Sequence, residues 1–152
     1  VHDRGIGGLK SSAALNSFFT NEFTFLAKVF ARSVLTFFEV RNSTQANVPP
    51  ETILNAHLAY IARAKGAGFW VLAGTAPPSA GAPAGSNTAA GNTNVLLRNA
   101  LPTVADSFID LEFDPVFSEG GHNAAVYDAD GVHMNDAGQA RLSDVMLAKI
   151  IT

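Results

Sequence analysis

Cysteine is absent from the sequence, which removes disulfides and thiolate metal sites from consideration. Charge is scarce as well: 13 acidic against 10 basic residues leave a formal net charge of −3. With no basic excess there is no patch for a phosphate backbone, so nucleic acid is not an expected partner. No apolar run reaches the ~18–20 residues that cross a bilayer, and no membrane span is expected. The chain begins at Val1 without a basic n-region or a signal cleavage site, and is expected to be trimmed, processed or cut from something longer. What is present is 152 residues, 47% of them hydrophobic, enough for one domain with its own core and too few for two. Few charges and many Ala, Gly, Asn, Ser and Thr suit an extracellular protein.

The pattern along the chain alternates strands with helices. Val1 to Ile6 reads as a short strand entering the turn Gly7-Gly8. From Ser11 to about Ser33, Leu15, Phe18, Phe19, Phe23, Leu26, Val29 and Phe30 recur at threes and fours, predicting an amphipathic helix N-capped by Ser11 or Ser12. The β-branched and aromatic run Val34–Val40 predicts a buried strand. Pro49-Pro50-Glu51 opens a second helix, with a face of Ile53, His57 or Leu58, Ile61 and Ala64, closed by Gly66 and Gly68. Phe69–Gly74 is the next strand, and Pro77–Gly91, rich in Pro, Ala, Gly and Ser, is expected to be a long mobile surface loop. A third helix is expected over Asn92–Ala105, a strand over Phe108–Leu111, a loop from Asp114 to Met134, and a last helix from Asn135 to about Ile150. Such alternation predicts an α/β fold with a mostly parallel sheet covered on both faces. Parallel strands gather their C-termini at one edge, where ligands of open α/β folds bind.

The stretch at that edge with the most chemistry is Asp130-Gly131-Val132-His133. Acyl transfer to a serine needs an imidazole base and a carboxylate that fixes its tautomer. Gly131 permits a tight turn that folds Asp130 back onto His133. The same residues also suit a plain turn before a helix, with His133 on the surface. Asp128, Asp130, Asn135 and Asp136 are oxygen donors, but their spacing fails the EF-hand pattern, and no metal or other cofactor is expected.

Asp130-x-x-His133 ahead of a C-terminal helix, followed by Asn135-Asp136-Ala137-Gly138, resembles the last motif block of the SGNH/GDSL serine ester hydrolases. Arg4-Gly5-Ile6-Gly7-Gly8-Leu9-Lys10-Ser11 resembles the second block, with Gly8 as the best match, and Gly7 next, for its oxyanion-binding backbone N–H. Val40-Arg41-Asn42-Ser43 stands where the family has Gly-x-Asn-Asp, which points to Asn42 as the second oxyanion donor; Val40 and Ser43 depart from that pattern. Thr75-Ala76-Pro77-Pro78 also resembles the family's phrase at a strand end. The resemblance implies a three-layer α/β/α sandwich of the flavodoxin-like SGNH type, with residues 1–152 as its larger C-terminal part. It implies His133 as base and Asp130 as its orienting carboxylate. Thr75 and His122, in the loop approaching the site, are the candidate substrate contacts. Asn42-Ser43-Thr44 is also a glycosylation sequon, a modification that conflicts with a buried oxyanion role.

The family's first block, Gly-Asp-Ser, carries the nucleophile after a central first strand, and that block is missing. Ser11 and Ser12 read as helix caps, Ser43 as a turn residue, and Ser79, Ser86 and Ser118 as loop solvation. The nucleophile and the missing strand are therefore expected on an N-terminal piece that stays associated or on a second chain, unless the chain is a diverged, inactive form. The resemblance implies hydrolysis of carboxylic esters; a non-catalytic glycan-, lipid- or protein-binding domain is the alternative. A flavodoxin-like nucleotide binder fits poorly, because Gly5-Ile6-Gly7-Gly8 lacks GxGxxG spacing and no P-loop lysine pattern occurs.

Overall fold

The computed structural model describes residues 33–119 and 122–151. The expected first strand, the helix from Ser11 and the oxyanion candidate Gly8 lie outside the described residues. Three strands, β1 (Ser33–Phe37), β2 (Phe69–Gly74) and β3 (Ser107–Ile109), form a parallel sheet in the order β1-β2-β3. Between and after them run α1 (Arg41–Gln45), α2 (Pro50–Gly66), α3 (Ser86–Val104) and α4 (Asp136–Ile150).

The period-2 pleat of β2 explains the layering. Phe69, Val71 and Ala73 join one cluster with Tyr60, Ile61 and Ala64 of α2 and with Ala90, Leu97 and Leu101 of α3. Leu72 joins the other with Ile109, Leu111, Phe117 and Tyr127, against which Trp70 and the α4 residues Leu142, Val145 and Met146 pack. Helices thus cover both faces, as the strand–helix alternation predicts. Each fully buried Leu contributes up to about 1.5–3 kcal/mol, an upper figure because the unfolded chain already hides part of that area.

Helix boundaries follow their local signals where those signals are strong. Pro50 opens α2 and needs no N–H there, Arg63 and Lys65 sit in its last turn, and Gly68 follows at φ 91°. His57, not Leu58, completes the buried face, with its Nε2–H donating to the Glu39 carbonyl at 2.5 Å. Burial pulls the His57 pKa down to about 4, so the ring is a neutral core residue.

Three expectations are corrected. First, α3 starts at Ser86, so the last six residues of the expected Pro77–Gly91 loop are helix, and Pro102 is accommodated within the last turn. The Ser-Asn-Thr-Ala-Ala-Gly stretch has loop-like composition, but α3 is anchored by Ser86 and Ala90, which are buried in its first turns. Second, β1 ends at Phe37 and not at Val40, and it begins at Ser33, which the sequence pattern places at the end of an expected helix. Third, Ser43 is a buried helical residue and not a turn: the Glu39 carboxylate accepts from its backbone N–H at 3.1 Å and its hydroxyl at 2.9 Å. Ser43 and Thr44 of the sequon are both buried.

Candidate active site

The three strands end together at Phe37, Gly74 and Ile109, and the segments that follow build the site. The loop after Gly74 is clamped onto α3 by two asparagines seven residues apart, and therefore on one stripe of the helix. Asn94 accepts from the Ala76 N–H at 3.1 Å and donates to the Ala76 carbonyl at 2.8 Å. Asn87 does the same for Ser79, at 3.0 and 2.7 Å. Each carboxamide thus satisfies a backbone donor and acceptor that the loop could not pair with itself. Ser79, read from sequence as a solvated loop residue, is buried, and its hydroxyl donates to the Gly131 carbonyl at 2.7 Å. The Gly81 N–H reaches the same carbonyl at 3.2 Å. Ser86 is likewise buried, beside Thr44, and Ser118 is exposed.

Residues 126–135 close a narrow hairpin against that loop. Asn135 N–H bonds the Val126 carbonyl at 3.1 Å, Asp128 N–H bonds the His133 carbonyl at 2.8 Å, and Tyr127 bridges Met134. Gly131, at φ 65°, sits in the left-handed region that favours glycine, and a Cβ there would press on Ala80. Beyond the hairpin Asn135 N-caps α4, accepting from the Gly138 N–H at 3.0 Å while its amide donates to the Tyr127 carbonyl at 3.2 Å.

Within this hairpin Asp130 is held by three donors. Its Oδ1 accepts from the backbone N–H groups of Val132 at 2.8 Å and His133 at 3.0 Å. Its Oδ2 lies 2.6 Å from His133 Nδ1. The plain turn and the carboxylate–imidazole pair, alternatives on paper, are thus one structure. The His133 bond foremost, and then the two backbone donors, pull the Asp130 pKa from an ordinary 3.8 to about 2. An ionised carboxylate only accepts, so Nδ1 carries the proton in the neutral ring and Nε2 presents its lone pair. Nε2 has no hydrogen bond among the described residues, and the His133 side chain is 76% exposed. Because the folded-state pKa is depressed, the stabilisation this turn draws from ionised Asp130 is complete above the unfolded value near 3.8. It is lost as pH falls through about 2. A carbon-detected NMR titration of the Asp130 carboxyl is expected to give a midpoint near 2; a midpoint near 4 would show that the pair does not form.

The other expected site residues divide. Asn42 lies in α1, three residues beyond the Phe38-Glu39 step that follows β1, at the strand-end edge and partly buried. Thr75 has a different task from the expected substrate contact: it is fully buried, donating to Asp110 at 2.7 Å and accepting from the Glu112 N–H at 3.1 Å. With Arg98, which bonds Asp110 at 2.6 Å and Glu112 at 2.5 Å, it braces the ends of β2 and β3. His122 is exposed, two residues before Ala124, whose carbonyl receives the Asn135 amide at 3.4 Å.

Sequence reading misses Arg41. From the start of α1 its guanidinium donates to Asn87 Oδ1 at 3.0 Å and to the Pro77 carbonyl at 2.5 Å. Arg41, Asn87, Ser79 and Gly131 thus form a continuous chain from α1 to the hairpin that carries Asp130 and His133. The signal available was its place beside Asn42 in the Val40–Ser43 stretch; its partners are 36 and 46 residues away. Among the described residues, no three His, Cys, Asp or Glu side chains gather where they could hold a metal ion. No family model matches the chain, and no curated protein matches its sequence.

Proposed function

We propose that the protein hydrolyses carboxylic esters by a Ser-His-Asp mechanism in which His133 is the base, Asp130 its orienting carboxylate, and the serine comes from a segment preceding Val1. The observation that carries this reading is the 2.6 Å Asp130–His133 pair, with Nδ1 engaged and Nε2 open. The serine Oγ attacks the acyl carbon as its proton passes to Nε2. Asp130 stabilises the imidazolium, which then gives the proton to the departing alcohol oxygen. Water repeats the sequence on the acyl-enzyme, releasing the acid. The tetrahedral oxyanion is received by the Gly8 backbone N–H and the Asn42 side chain, each donor worth ~3–4 kcal/mol in related chemistry.

The exposure of the His133 ring, together with Val40 and Ser43 in place of the third block's Gly and Asp, favours a second reading, a non-catalytic binding domain on the same scaffold. The two are separated by labelling the protein in its native form, with any peptide that copurifies, with a fluorophosphonate. A labelled serine on a copurifying or preceding segment is the expected result; a folded, unlabelled protein supports the second reading.

A further inference from the structure

The Gly131–Val132 peptide is held from both of its sides. Its N–H donates to Asp130 Oδ1 at 2.8 Å, and the other oxygen of that carboxylate pairs with His133. Its carbonyl points the opposite way, as a trans peptide requires, and accepts the Ser79 hydroxyl at 2.7 Å and the Gly81 N–H at 3.2 Å. Gly131, at φ 65°, has no Cβ to resist a flip of this peptide, and a flip would turn the N–H away from Asp130. The loop after β2 supplies the resistance. It lies backbone to backbone against the turn, since a Cβ on Gly81 would run into the Asp130 carbonyl, and its Ser79 supplies a side-chain donor.

Ser79 is itself fixed. It is 3% exposed, and its backbone N–H and carbonyl are both taken by the Asn87 carboxamide, at 3.0 and 2.7 Å. The same Asn87 oxygen receives Arg41 Nη1 at 3.0 Å, which ties this clasp to α1 beside Asn42. The Ser79 hydroxyl is thus aimed at the hairpin by groups from α1 and α3. A hydrogen bond on a carbonyl also polarises its peptide, which makes the N–H at the other end a stronger donor. We infer that Ser79 is a positioning residue for the Asp130–His133 pair, acting through the Gly131–Val132 peptide. It keeps the Val132 N–H on Asp130, and Asp130 keeps the proton of the His133 ring on Nδ1. The effect on turnover rests on the hydrolase reading; the effect on the pair does not.

The test compares the native protein with Ser79→Ala by NMR. It follows hydrogen exchange of the Val132 amide and the imidazole nitrogen shifts of His133, at a pH where the ring is neutral. The variant should exchange the Val132 N–H about tenfold faster, and a smaller share of His133 should carry its proton on Nδ1. Ile61→Val, which trims the buried face of α2 away from the hairpin, reports what a general loss of stability does and should move neither signal. Asn87→Ala removes an exposed side chain together with its clasp on Ser79, and should speed Val132 exchange about threefold. That variant keeps the test decisive if Ser79→Ala does not fold. With 4-nitrophenyl acetate, Ser79→Ala should lower kcat about tenfold and leave KM within about twofold, because a buried Ser79 touches no substrate. Unchanged Val132 exchange and an unchanged His133 tautomer in folded Ser79→Ala, or in Asn87→Ala should the first variant not fold, would overturn the inference. The NMR signals need no turnover: a protein whose His133 tautomer responds to Ser79 but which hydrolyses no ester keeps the positioning role and loses the hydrolase reading. One that hydrolyses esters with its pair indifferent to Ser79 does the reverse.

Discussion

Asp130→Asn is expected to lower kcat for ester turnover by about 10⁴ while leaving the fold and the Tm nearly unchanged. The reason lies in how the carboxylate is held. One oxygen already receives the backbone N–H groups of Val132 and His133, and in the variant those donors select the carboxamide oxygen. The NH₂ group is then left facing His133 Nδ1, where the second carboxylate oxygen stood. A donor at that place forces Nδ1 to accept, moves the ring proton to Nε2, and leaves the base with no lone pair for the nucleophile. Steady-state rates with 4-nitrophenyl acetate, alongside circular dichroism, test this. A loss under tenfold would show that Asp130 merely shapes the turn.

The second large effect concerns stability, and its sign is opposite to the usual one. Glycine to alanine inside a helix ordinarily stabilises by about 1 kcal/mol. At Gly138, in the first turn of α4, a Cβ would drive into the Val126 carbonyl and crowd Met134. Both flank the hairpin that carries Asp130 and His133. Overpacking against backbone outweighs the propensity gain, so Gly138→Ala should lose about 2 kcal/mol and lower the Tm by roughly 4–8 °C. Denaturant and thermal unfolding measure it; an unchanged or raised Tm would mean that α4 does not lie as described against the hairpin.

The parts of this molecule readable in the sequence are those set by local chemistry. The residues of β2 are apolar throughout because a central parallel strand is buried on both faces, and its limits match the expected ones. Pro50 and Gly68 mark α2 because each fixes a backbone conformation by itself. The Asp130–His133 pair was legible because three residues and one glycine suffice to make it. What was not legible depends on distant partners. The first turns of α3 have the composition of a loop, and they gain their meaning from Asn87 and Asn94 clasping the loop after β2. Ser79 and Thr75 look like exposed polar residues until the loop folds over them, and Arg41 finds its partners only once α1, Pro77 and Asn87 have met.

The most direct test of the central claim is fluorophosphonate labelling of the native protein compared with His133→Ala, followed by peptide mass spectrometry. If His133 activates a serine, a single serine on a segment preceding Val1 takes the label, and the substitution abolishes labelling without unfolding the protein. Labelling of the same serine at an undiminished rate in His133→Ala would contradict it.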